Sequence, residues 1–195
     1  MKSLQTQLTH GIAGAVFILL AASALCAEPA TSDDFQVFRD DEFRLTVACP
    51  KSWKKIATAD AQSRIRVISE EGLGGDDLHV TVLSNDMFRK LTPSDYVKRV
   101  STPQMTDGLV KGLQQKFATA KLVSSGKMRL SDQDAFFFTC DVTLKGAPDF
   151  VMRQIQVSTL KGGTVYYVTC RTGRDDFDKR MPLFKRIIDR FTFTR

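Results

Sequence analysis

The chain has 195 residues, 43% hydrophobic and 26% charged, with 28 basic against 22 acidic side chains for a formal net charge of +6. That length and apolar content suffice for one domain with its own core, with no metal or disulfide needed to hold it. The modest, scattered positive charge suits acidic partners such as an anionic surface and excludes a dedicated nucleic-acid binder.

Residues 1 to 27 read as a secretory signal peptide: Lys2, then the uncharged run GIAGAVFILLAASAL from Gly11 to Leu25, then small residues up to Ala27. The run is shorter than the roughly 20 apolar residues of a permanent span, and Glu28 and Pro29 follow at once. Cleavage after Ala27 predicts a periplasmic or secreted protein with no permanent membrane span. The alternative is a lipoprotein anchored at Cys26, against which stands Leu25, where a small residue is usual. Processing removes His10 and Cys26, so the mature chain keeps one histidine, His79, and three cysteines. Residues 28 to 34, EPATSDD, form a flexible leader, and residues 35 to 195 form one domain.

Short runs with the two-residue period of half-buried strands come next. Phe43, Leu45, Val47 and Cys49 share one face of the first; Ile65 and Val67 share a face of the second; Leu78, Val80 and Val82 line the third. Between the last two, EEGLGGDD reads as a solvated acidic turn. Thr92-Pro93-Ser94-Asp95 announces a helix, with a capping threonine, proline at the first helical position and an acid three residues after the cap. Pro103 breaks or kinks it, and Met105, Leu109, Leu113 and Phe117 then form an apolar stripe for packing on a sheet.

In the second half, Gly162-Gly163 is a two-residue hairpin turn that places Ile155 opposite Cys170. A reversal at Gly146 to Asp149, GAPD, would place Cys140 opposite Ile155. In these registers Phe136, Phe138, Cys140, Val142 and Leu144 share a face with Val151, Ile155 and Val157, and with Tyr166, Val168 and Cys170, with Arg153 discordant. A last amphipathic helix starts near Asp175 or Asp176 and carries Phe177, Met181, Phe184, Ile187, Ile188 and Phe191, unless Pro182 delays it. The fold class is α+β, a mostly antiparallel sheet with helices packed on it.

Cys140 and Cys170 would then lie two strand spacings apart, roughly 9 to 10 Å, too far to bond. A disulfide from Cys49 to Cys140 or to Cys170 and three buried thiols stand as equal alternatives. Asp76, Asp77 and His79 are the candidates for a metal site, against a solvated acidic turn with His79 pointing outward. His79 is the one base any nucleophile of the mature chain could borrow, and neither a G-x-S-x-G turn nor a phosphate loop is present. No catalytic constellation and no cofactor motif emerge. Arg171, Arg174, Lys179, Arg180, Lys185, Arg186 and Arg190 make a basic run, either a docking face for an acidic envelope partner or the solvated side of the last helix.

The order of parts resembles the PsbP-like family: a short strand ending in Phe38, ACPKSW at the end of the next, a helix after TPSDY, aromatic strands AFFFTC and VYYVTC, and a closing helix ending in DRFTF. Ser52 stands where the family usually has glycine. The resemblance covers most of residues 35 to 195 and implies an α/β/α sandwich used as a non-enzymatic binding or accessory module. Photosynthetic members assist photosystem II, and a related fold binds the GTPase Ran. The expected function is an exported, non-enzymatic binding or accessory protein of the bacterial envelope. The alternatives are a lipid-anchored or metal-handling envelope protein and an undetected hydrolase.

Overall fold

The structure, a computed structural model, describes residues 34–58, 60–70 and 74–194. The expected signal peptide, Cys26 and the leader up to Asp33 lie outside the described residues. In chain order the elements are strands β1 (Phe35–Asp40), β2 (Leu45–Pro50), β3 (Lys54–Lys55), β4 (Ser63–Ile68) and β5 (Asp77–Ser84), and helices α1 (Pro93–Val100) and α2 (Pro103–Lys116). Strands β6 (Thr119–Leu130), β7 (Gln133–Leu144), β8 (Ala147–Lys161) and β9 (Thr164–Gly173), helix α3 (Phe177–Asp189) and strand β10 (Thr192–Phe193) complete them. Among the described residues the strands build a seven-stranded sheet in the order β3-β4-β5-β9-β8-β7-β6 and a three-stranded sheet in the order β1-β2-β10.

Local chemistry sets the helix boundaries. Thr92 Oγ1 accepts from the Asp95 N–H, and the Asp95 carboxylate accepts in return from Thr92 Oγ1 and N–H, a reciprocal cap on a helix whose first residue is Pro93. Pro103 breaks the helical stretch outright: it occupies the first turn of α2, where its missing N–H has no intrahelical partner to lose. Pro182 does not delay α3, which starts at Phe177 and carries the proline inside it.

The large sheet is covered on both faces over much of its breadth. On one, Ile65, Val67, Leu78, Val80, Ile155, Val157, Tyr166, Val168 and Cys170 pack against the small sheet, through Leu45, Val47 and Cys49, and against Phe184, Ile187 and Ile188 of α3. Trp53 joins this core. On the other face Phe136, Phe138, Cys140, Val142, Met152, Leu160 and Val165 pack under α1 and α2 through Tyr96, Val97, Val100 and Val110. Helices, sheet, then helix with small sheet give the layered α+β sandwich expected.

The Gly162-Gly163 turn holds with both glycines at positive φ, 58° and 81°, as a tight hairpin requires, and Ile155 does face Cys170. The other register is off by one. The chain turns at Lys145-Gly146, Leu144 pairs with Ala147, and a bulge then sets Cys140 opposite Gln154 and Thr139 opposite Ile155. One residue of slip exchanges the faces, so Phe136, Phe138, Cys140 and Val142 lie under α1 and α2 while Ile155, Val157 and Cys170 face α3. Arg153 ceases to be discordant: it pairs with Asp141 across the ladder, Nε to Oδ1 at 2.6 Å, and lies over the Phe177 ring.

The α2 stripe is rotated from its expected position. Thr106 and Val110 are buried, Leu109 and Leu113 pack partly on the core, and Met105 is exposed.

Losing the α1 cap exposes orphaned N–H groups without touching either core. Thr92→Ala is expected to lower unfolding stability by about 1 kcal/mol, read from urea midpoints at unchanged slope, and Thr92→Ser to restore most of it.

Candidate functional site

The face of the large sheet under α1 and α2 is divided. Over β6, β7 and β8 it is apolar and covered; over β4, β5 and β9 it carries Arg66, Asp77, His79, Thr81, Thr169 and Arg171, and α2 reaches only its edge. The strand ladder juxtaposes these side chains. Arg66 pairs with His79, Asp77 with Arg171, and His79 with Thr169, so the side chains of each pair emerge on one side. The result is a half-open cavity of about 380 Å³, floored by these residues with Gln154 and Gln156 of β8, and walled by Leu113, Lys116 and Phe117 at the end of α2. That size falls within the ~300–1,000 Å³ usual for small-ligand pockets.

Asp77 anchors the floor. Its side chain is 9% exposed, and its Oδ2 accepts from Arg66 Nη2 at 2.9 Å and from Arg171 Nη2 at 2.5 Å. Burial pushes its pKa up, but the guanidiniums of Arg171 and Arg66 outweigh that and hold the carboxyl below the ordinary 3.8, so it is ionised at neutral pH. Its other oxygen, Oδ1, is buried without a hydrogen-bond partner. Arg171 also lies against the Phe117 ring, 5.6 Å from its centre.

His79 lines this cavity and is not a solvated outward residue. Its ring is hydrogen-bonded through Nε2 to Ser63 Oγ at 2.5 Å. Ser63 reaches that side because a bulge between Ser63 and Ile65 sets it opposite Thr81. Burial lowers the His79 pKa from 6.5; Asp77 works against the shift, while Arg66, Arg171 and Lys116 add to it. The imidazole is neutral at pH 7. Because the folded value lies below the unfolded one, the unfolded chain takes up this proton first, and His79 withdraws stability as pH falls below about 6.5.

The neighbouring acid goes elsewhere. Asp76 is 3% exposed, receives Arg180 of α3 at 3.4 Å, and has its pKa raised by burial. Asp76 and Asp77 therefore do not form a solvated acidic turn, and the trio Asp76, Asp77 and His79 is not assembled as a ligand set. Among the described residues no group of three His, Cys, Asp or Glu side chains converges to hold a metal ion.

The basic run is dispersed rather than gathered on one face. Arg171 enters the cavity, Arg174 meets Asp175, Lys179 meets Asp176, and Arg180 meets Asp76. Arg186 and Arg190 stack on the Phe35 ring, 4.8 and 4.3 Å from its centre, while Lys185 is exposed.

Cys49, Cys140 and Cys170 are free and buried. Cys140 lies in the core under α1 and α2, and Cys49 and Cys170 lie in the other, so Cys49 and Cys140 are separated by the sheet. Burial pushes the thiols of Cys49 and Cys140 up to about 12 and raises that of Cys170 as well.

Sequence reasoning singled out Asp77 and His79 together as metal candidates and Arg171 separately in the basic run, and missed Arg66, Lys116, Gln154 and Gln156. The available signal was alternation: positions 77, 79 and 81 are polar on a strand whose other face carries Leu78, Val80 and Val82.

The family model described as PsbP matches residues 33–193. No curated protein sequence matches the chain. Similar solved structures include the cyanobacterial PsbP, CyanoP, of Synechocystis sp. PCC 6803, at TM-score 0.59 and 14% identity over 82% of this chain and 92% of that one. LpqN of Mycobacterium tuberculosis, described as involved in cell envelope biogenesis, matches at 0.53 and 11% over 84% and 87%. The Saccharomyces cerevisiae Ran-binding protein Mog1p matches at 0.51 and 9% over 82% and 95%.

Two measurements check this geometry. A thiol reagent should find no accessible cysteine among positions 49, 140 and 170 in the folded protein and all three after denaturation. The His79 ring should titrate by NMR with a midpoint below 6.5, moved upward in Lys116→Gln and further downward in Asp77→Asn.

Proposed function

Because the chain belongs to the PsbP family, we propose that it is an exported, non-catalytic binding or accessory protein of the bacterial envelope that takes its ligand in the cavity beside α2. The observation that carries this reading is the cavity floor, where Asp77 fixes two arginines from β4 and β9 side by side. Such a floor is a recognition surface: rigid donors on strands, held in place by a buried anchor. The composition of residues 1 to 27 supports export. Among the described residues no helix is long and apolar enough to cross a membrane.

A hydrolase reading has one specific observation in its favour, the 2.5 Å contact between Ser63 Oγ and His79 Nε2, a nucleophile and base within reach of each other. Ser63, however, is 8% exposed and does not line the cavity, so a substrate there meets the imidazole and not the hydroxyl. Ser63 serves to orient the ring.

Protein recovered from the periplasm should have the mass of a chain beginning at Glu28, without lipid. A lipidated Cys26 would move the assignment to an anchored protein. Turnover of a simple p-nitrophenyl ester, abolished by both Ser63→Ala and His79→Ala, would replace the binding reading with the hydrolase.

A further inference from the structure

Taking the cavity as the ligand site, the reading on which this inference rests, its side chains also define what kind of molecule it holds. Three basic side chains, Arg66, Lys116 and Arg171, line it with a single acid, Asp77. Asp77 occupies one N–H of each arginine through a shared oxygen, and neither guanidinium has another hydrogen-bond acceptor among the described residues. A guanidinium offers five N–H donors in a planar fork suited to carboxylate or phosphate. Two such forks, tied together by one carboxylate oxygen, with Arg171 against the Phe117 ring, make a site with excess positive charge and N–H donors beside the cavity. A metal cation is repelled from it.

The rest of the lining is neutral and hydrogen-bonding. Gln154, 2% exposed and paired with Arg171 across the ladder, and Gln156, paired with Thr169, continue the floor sideways onto β8. Asp77 Oδ1, buried and unpaired, leaves the network one donor short. Thr169 Oγ1 donates to Gln156 Oε1 at 3.4 Å, so the hydrogen-bonding capacity the glutamine amides retain suits hydroxyls, and the volume of about 380 Å³ admits a small molecule rather than a polymer.

We propose that the cavity binds a small hydroxylated organic anion, its oxyanion group, carboxylate or phosphate, seated against Arg66, Arg171 and Lys116 and its hydroxylated body against Gln154, Gln156 and Thr169. Asp77 is the positioning residue that holds the two guanidiniums. Lys116, exposed at the end of α2, contributes charge at the mouth.

Calorimetry on the processed protein, with glucuronate, glucose 6-phosphate, inorganic phosphate and glucose as probes, tests the assignment. Glucuronate or glucose 6-phosphate should bind, the tighter of the two identifying carboxylate or phosphate as the natural head group, and glucose should not bind detectably. Arg66→Gln and Arg171→Gln should each weaken binding about tenfold or more, as expected for a lost charged hydrogen bond, and Lys116→Gln severalfold. Bound anion should also raise the His79 NMR midpoint. Should Arg171→Gln fail to fold, Arg66→Gln and Lys116→Gln, at more exposed side chains, still decide the matter. Inorganic phosphate binding as tightly as both organic anions would overturn the role of the hydroxylated body. Absence of binding by every anion to folded protein, or affinities indifferent to Arg66→Gln and Lys116→Gln, would overturn the site itself. An exported protein that binds none of the probes loses this assignment while keeping the envelope reading; a cytoplasmic protein that binds them does the reverse.

Discussion

The large antiparallel sheet is covered on both faces over much of its breadth, and the rest of the molecule follows from that constraint. A strand with two buried faces cannot alternate apolar and polar residues, so β7 reads Phe136-Phe137-Phe138, with the outer two under the helices and the middle one turned to the α3 side. Each face then needs its own cover. The chain supplies α1 and α2 between β5 and β6 for one, and the small sheet with α3, assembled from both ends of the domain, for the other. Because α1 and α2 are short and broken apart at Pro103, they cover only part of their face. The uncovered remainder, over β4, β5 and β9, is where polar side chains collect.

The same constraint explains what was legible in the sequence. Strands with an apolar run on one face, such as β5 with Leu78, Val80 and Val82, announced their orientation, and the Thr92 cap and the Gly162-Gly163 turn fixed their elements by stereochemistry. The β7–β8 register was not legible, because agreement of apolar faces is no test for a strand that is apolar on both. The segment GAPD misled as well. Its Gly146 does belong to the turn, but Pro148 and Asp149 lie beyond it, in the stretch of β8 that the bulge takes up before regular pairing resumes at Val151. Arg153 carried a hint, since a lone cation on an apolar face needs an acid opposite, and Asp141 fills that place only in the observed register.

The candidate site was legible only in fragments. EEGLGGDD looks like a solvated turn because its neighbours in sequence are glycines and acids. Asp77 owes its burial and its ionised state to Arg66 and to Arg171, which comes from β9, a strand far along the chain that borders β5 only in the folded sheet. A reading of local composition sees the acid and not the cations that define it. The bulge that carries Ser63 across to His79 is equally invisible to periodicity, since it consists in breaking it.

The arrangement around Asp77 is a poor solution to the problem of stability alone. An unpaired buried acceptor such as Asp77 Oδ1 costs about 1–3 kcal/mol, and buried ion pairs often gain nothing over well-packed apolar side chains of similar volume. Two arginines converging on one carboxylate oxygen add mutual repulsion to those costs, and Lys116 extends the same cationic field, which helps keep His79 neutral. A core-building solution was available a few residues away, where β7 and β8 fill the corresponding face with Phe136, Phe138 and Leu160. The polar half-face differs from it in being left accessible beside α2, and what it gains for its cost is a fixed array of donors facing a cavity. That exchange of stability for preorganised charge is the physical ground on which the proposed binding role rests.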